Sequence, residues 1–165
     1  MVSIRLVPQP VHSHELCNIW LTHFFRDMSP GEFENHGDDK YNKAQNEKAY
    51  IALMGAALAA AGAPNHAITD TGRTGQSGGR EEWGDWCNVA GAGFGRRPSA
   101  DTGAELADAF VWVKPGGESD GTSDSSAQRF DAFCGKADAF QPSPEAGSWH
   151  QAYFEMLLKN ASPAF

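Results

Sequence analysis

The stretch Ala107–Gly121 reads ADAFVWVKPGGESDG. Its first eight residues, 107–114, are mostly apolar, with β-branched and aromatic side chains at 110–113, which predicts a buried strand. Pro115, Gly116 and Gly117 end the strand and turn the chain. A lysine stands at the strand's carboxyl end, and Glu118 and Asp120 follow on the turn. Buried strands that alternate with helices point to an α/β protein, where helices cover both faces of a parallel sheet. In such folds sites collect at the carboxyl ends of strands, so the position of Lys114, Glu118 and Asp120 marks a candidate site.

A second strand of the same kind is expected at HAITD (66–70). It leads into TGRTGQSGG (71–79), a glycine-rich loop that carries Arg73. Asp70 and Arg73 thus leave one strand end while Lys114, Glu118 and Asp120 leave another. Between these strands, residues 81–100 read as irregular, tightly packed structure. GAGFG (91–95) lacks the GxGxxG spacing and opens no helix, so no dinucleotide site is read there. Before the strands, residues 38–61 predict a helix: Asp38 and Asp39 favour its start, alanines fill it, and Gly62 with Pro64 stop it. Gly55 inside it suits close packing. After the strands comes a polar loop of about 30 residues, a length that points to function or disorder. A last helix is expected at 147–160, with Trp149, Tyr153, Met156 and Leu157 as its apolar stripe. Residues 1–37 show no clean period.

With 165 residues the chain reads as one domain. The 21 acidic against 13 basic residues give a net charge of -8, which opposes binding to nucleic acid or an anionic membrane. No apolar run is long enough to span a bilayer. MVSIRLVPQPVHSHE is broken by Pro8 and Pro10, and no signal peptide is read in it. His12 and His14 lack a third ligand, the aspartates of ESDGTSD lack calcium-loop spacing, and no two cysteines form a CxxC pair, so no metal and no cofactor are expected. Cys17, Cys87 and Cys134 leave at least one thiol unpaired; the residues alone leave free thiols and one disulfide equally open.

A cation beside carboxylates favours their charged form. Charged carboxylates accept, and Lys donates, hydrogen bonds to hydroxyl groups, and flat aromatic rings suit sugar rings. A carboxylate near water can act as a general base. The competing reading of Glu118 and Asp120 is a solvated turn.

WGDWCN (83–88), GAGFGRRP (91–98), DAFVWVKPGGESDGTSDSS (108–126), RFDAFCG (129–135) and QPSPEAGSWHQAYFEMLLKNASPAF (141–165) together resemble the C-terminal part of fungal glycoside hydrolase family 6, the cellobiohydrolases and endo-β-1,4-glucanases. ITDTGRTGQ (68–76) resembles the family's DxGRxG-type segment. The resemblance implies an α/β fold: the C-terminal portion of a distorted parallel β/α barrel, incomplete as given, since such a barrel takes about 250 residues. It implies residues 29–165 as part of the catalytic domain and 1–28 as a divergent segment. It implies hydrolysis of β-1,4-glucosidic bonds with inversion, on cellulose or β-glucan oligosaccharides, by an extracellular enzyme that is monomeric when complete. Trp86, Lys114 and Glu118 would line glucosyl subsites. Asp120 would match the carboxylate proposed as catalytic base, with Arg73 in support. Cys87 and Cys134 would form the family's C-terminal disulfide and Cys17 would stay free. The family's catalytic acid is an aspartate in an earlier segment, and that motif and the YxxPxRDC-type motif have no counterpart here. A fragment without activity of its own is therefore expected, the alternative being a carbohydrate-binding remnant. Asn160-Ala161-Ser162 is the one N-glycosylation sequon, followed directly by Pro163.

Overall fold

The computed structural model describes residues 20–22, 47–76, 79–82 and 84–165. The expectations for the His12/His14 pair, for Cys17, for a start without a signal peptide and for a helix over 38–46 lie outside these residues.

The fold is α/β. A parallel three-stranded sheet runs in the order β1 (Trp20–Thr22), β2 (Ala67–Asp70), β3 (Ala107–Val111). Trp20 pairs with Ala67 and Thr22 with Thr69, while Asp70 pairs with Val111. The register slips between Ala67 and Ile68, so that Ile68 faces Ala109 rather than Asp108. β1 lies in the part of the sequence where no period could be read, and three residues are too few to show one. Parallel strands need a crossover, and α1 (Glu47–Ala60) lies within the one between β1 and β2. It rests on the sheet through Ile51, which clusters with Ala67 and Ala107. Gly55 faces Leu106: a Cβ there would come within 2.7 Å of Leu106 Cδ1. The helix ends as expected. Gly62 takes φ 69°, its N–H donates to Ala59 O, and Ala63 N–H reaches back to Leu58 O. These two bonds satisfy carbonyls that a helix end leaves open.

The second core is aromatic. Ala92, Phe94, Tyr153 and Leu157 form it, with Trp112, Phe140 and Phe154 against its rim. It joins GAGFG to α2 (Gln151–Lys159), and Phe94 N–H donates to Leu157 O. α2 is shorter than expected and buries Tyr153 and Leu157. Trp149 precedes it and is 57% exposed, so it leaves the expected stripe. Asn160 caps α2, and its Nδ2 donates to Gly91 O and Ala92 O. A glycan on that nitrogen would displace both bonds, so the sequon is in structural use.

The long loop is folded. A 3-10 turn (Ala132–Gly135) sits in it, capped by the Asp131 carboxylate on Phe133 N–H. Cys134 is joined to Cys87, and bridges pair Glu118 with Trp149 and Thr122 with Phe130. Among the described residues no helix is long and apolar enough to cross a membrane.

Candidate active site

β3 ends at Val111, three residues before the expected Lys114. The reason is Asp70. Its Oδ2 accepts Lys114 N–H at 2.9 Å and its Oδ1 accepts Gly72 N–H at 2.9 Å. One carboxylate at the end of β2 thus takes over where the ladder stops and turns both chains outward. The two loops leave the sheet side by side.

Those loops bring four of the expected residues into contact. Arg73 Nη1 donates to Asp120 Oδ2 at 2.8 Å, with the two side chains 8% and 10% exposed. Lys114 Nζ lies 3.0 Å from Asp120 Oδ1 and 2.8 Å from Glu118 Oε1. The result is a row, Arg73–Asp120–Lys114–Glu118, graded from buried to half-exposed. Arg73 also fixes the turn. Its Nη2 donates to the carbonyls of Glu118 and Gly116, and its guanidinium lies 4.8 Å from the centre of the Tyr153 ring. Burial pushes the Tyr153 hydroxyl well above its usual pKa, and this hydroxyl donates to Val89 O.

The glycines of PGGESDG are set by what lies against them. A Cβ on Gly116 would fall 2.3 Å from the Phe94 ring, and one on Gly117 would fall 2.2 Å from the Trp149 ring. On Gly121 it would meet Cys134 Sγ at 2.8 Å. Flexibility is not their use; they let two aromatic rings and the disulfide close on the backbone.

Asn88 was missed in the sequence. It is fully buried, with φ 39°. Its N–H donates to Asp120 Oδ2 at 2.9 Å, its Oδ1 accepts Asp120 N–H at 2.8 Å, and its Nδ2 donates to Gly121 O at 2.9 Å. Asn tolerates this left-handed conformation better than most residues. The only signal available was its place beside Cys87. Ser119 supports the same turn, its Oγ donating to Pro144 O at 2.7 Å. Trp86, two residues before Asn88, is partly exposed and lies 6.1 Å from Phe133. The row and Asn88 are brought together directly; Trp86 stands on the neighbouring segment that the Cys87–Cys134 bridge fixes.

Chemically, the row offers hydrogen-bond donors and acceptors for hydroxyl groups at its Lys114–Glu118 end. At its inner end a carboxylate is held in place by Arg73, Lys114 and the Asn88 backbone. Among the described residues no three His, Cys, Asp or Glu side chains could hold a metal ion.

Residues 24–161 match the model of glycosyl hydrolases family 6. The chain belongs to this family. It is 73% identical over 138 residues to a 1,4-beta-D-glucan cellobiohydrolase of Podospora anserina, covering 84% of this chain and 35% of that protein. It is 61% identical over 126 residues to exoglucanase 2 of Hypocrea jecorina, covering 75% of this chain and 27% of that one. The chain therefore spans about a third of the length of these relatives. Among solved structures, the catalytic core of a Chaetomium thermophilum cellobiohydrolase superposes with a TM-score of 0.75 at 53% identity, over 84% of this chain and 39% of that one. A Humicola insolens cellobiohydrolase II, solved with glucose and cellotetraose, gives a TM-score of 0.75 at 48% identity, over 85% of this chain and 40% of that one.

Proposed function

We propose that residues 29–165 form part of the catalytic domain of an extracellular glucanase, hydrolysing β-1,4-glucosidic bonds of cellulose or cello-oligosaccharides with inversion. In this reading the parallel sheet is a section of a β/α barrel, and the row at its strand ends is one wall of the substrate cleft. Lys114 and Glu118 hold sugar hydroxyls, and Trp86 offers a flat face to a glucosyl ring. Asp120 is the candidate base that turns an attacking water, and Arg73 keeps its carboxylate oriented. Inversion needs a second carboxyl group about 6.5–9.5 Å away, to protonate the leaving oxygen and leave room for water. By the family resemblance that group is an aspartate in a segment without counterpart here. No cofactor enters, the acidic surface disfavours nucleic acid and membranes, and the complete protein works as a monomer.

The observation that carries this reading is the continuous row Arg73–Asp120–Lys114–Glu118. It is supported by family membership and by a similar structure solved with cellotetraose. One observation favours a second reading, sugar binding without cleavage: both oxygens of Asp120 already face donors within this chain. Calorimetry with cellotetraose and a reducing-sugar assay on soluble cellulose, both with the 165-residue chain, test the sugar site and the need for a second carboxyl group. Binding with no turnover is expected. Turnover that Asp120→Ala abolishes would mean that the chain has its own acid, and absence of any binding would overturn the sugar site itself.

A further inference from the structure

Trp149 has no place in the row just described, yet its surroundings are built. It is 57% exposed, among the most exposed large apolar side chains described. An indole left in water forfeits the stabilisation its burial would bring. Three contacts nonetheless fix it. One side of the ring lies against Gly117, so closely that any Cβ there would collide. Its Nε1 donates to Gln151 Oε1 at 2.8 Å. Its centre lies 5.0 Å from that of Phe154, tilted by 45°. A surface tryptophan with its polar atom satisfied and one side backed by a glycine is rigid, which lowers the entropy lost on binding.

Its neighbours say what it would bind. Trp149 and Glu118 are directly opposed across an antiparallel bridge. The flanking bonds, Ser119 N–H to Ser148 O and His150 N–H to Gly117 O, make them a non-hydrogen-bonded pair, the arrangement with the closest side chains. Glu118 is in turn the outer end of the row, 2.8 Å from Lys114 Nζ. A flat apolar face beside an amine and a carboxylate fits a pyranose, which has a C–H face to stack and hydroxyls on its rim.

We infer that Trp149 is a sugar-stacking platform that extends the row beyond Glu118 by one glucosyl unit. The inference rests on the reading of that row as a sugar site. A chain long enough to cross both should then bind more tightly than one that ends at Lys114 and Glu118. The test is calorimetry of the 165-residue chain with cellobiose, cellotetraose and cellohexaose, for the parent, Trp149→Ala and Trp149→Tyr. For the parent, affinity should rise with length. Trp149→Ala should lose about tenfold on the longest ligand, the scale of one stacking contact, and less on cellobiose. Trp149→Tyr should recover most of the loss, which separates lost stacking from lost folding. Circular dichroism melts report folding for each variant. Equal affinities of parent and Trp149→Ala for cellohexaose would overturn this proposal alone. Failure of the parent to bind any of the three would overturn both it and the sugar-site reading.

Discussion

Asp120 is positioned by donors from three separate segments, and the Asn88 side chain clasps its backbone as well. A buried amide is costly to remove where it leaves a partner unpaired away from water, as the Asp120 N–H would be. Asn88→Ala would orphan Asp120 N–H and take one of several donors from Gly121 O, and it would place alanine, which tolerates the left-handed conformation less well than asparagine, at φ 39°. We expect a loss on the order of 3 kcal/mol in urea denaturation. Asn88→Gly should lose about 1 kcal/mol less, since only the hydrogen-bond part remains; equal losses would deny the backbone contribution. His150 is the second residue with a readable consequence. It is buried between Phe140 and Tyr153, and its Nε2 has no partner. Burial first, and then the charge of Arg73, lowers its pKa below the usual 6.5. A histidine depressed in the folded state takes up its proton more readily when unfolded. Stability should therefore be constant above about pH 6.5 and fall as the pH drops below it, before the carboxylates titrate. In His150→Phe, thermal midpoints between about pH 5.5 and 7.5 should lose that slope. The same slope in both proteins would remove His150 from the account.

At the scale of elements, the loop from Trp112 to His150 is ordered by covalent and polar ties rather than by regular structure. The disulfide closes a sequence separation of 47 residues, for which chain entropy predicts about 4 kcal/mol of stabilisation. Cys134→Ser should lower stability by about 2–4 kcal/mol, and dithiothreitol should reproduce the loss in the parent but not in the variant. A variant as stable as the oxidised parent would show that the polar ties suffice. This loop also marks where the sequence stopped being legible. β2, β3, the end of α1 and the core of α2 could be read, because periodicity and breakers are local signals. The convergence of Arg73 with Lys114, Glu118 and Asp120 could be read from strand ends alone. The end of β3 could not, since apolar Trp112 and Val113 continue the strand pattern while the ladder is cut by Asp70, distant in sequence. Nor could Asn88 or the exposure of Trp149, which depend on contacts 30 or more residues apart. The disulfide was visible only through family resemblance, because spacing does not fix a pairing.

For the molecule as a whole, the two apolar clusters differ in kind. The one under α1 is small, built from Ile51, Ala67 and Ala107, and Leu53 on the same helix is about half exposed. The other packs Phe94, Tyr153 and Leu157 with a rim of aromatic rings, and it lies beneath the turn that presents Asp120. Phe94 backs Gly116, the Tyr153 ring faces Arg73, and the disulfide lies against Gly121. The site is thus mounted on the stronger cluster. Larger apolar burial and more buried hydrogen bonds raise the free energy of local opening. Native-state hydrogen exchange should therefore find the amides of Phe94, Ser119 and Asp120 among the slowest. Each donates within this block, to Leu157 O, Ser148 O and Asn88 Oδ1. The amides of α1 from Leu53 to Ala60 should exchange faster and open first in low denaturant. If α1 instead exchanged together with the site amides at one common free energy, the chain would open as a single unit, and the rigidity of the site could not be credited to the aromatic cluster beneath it.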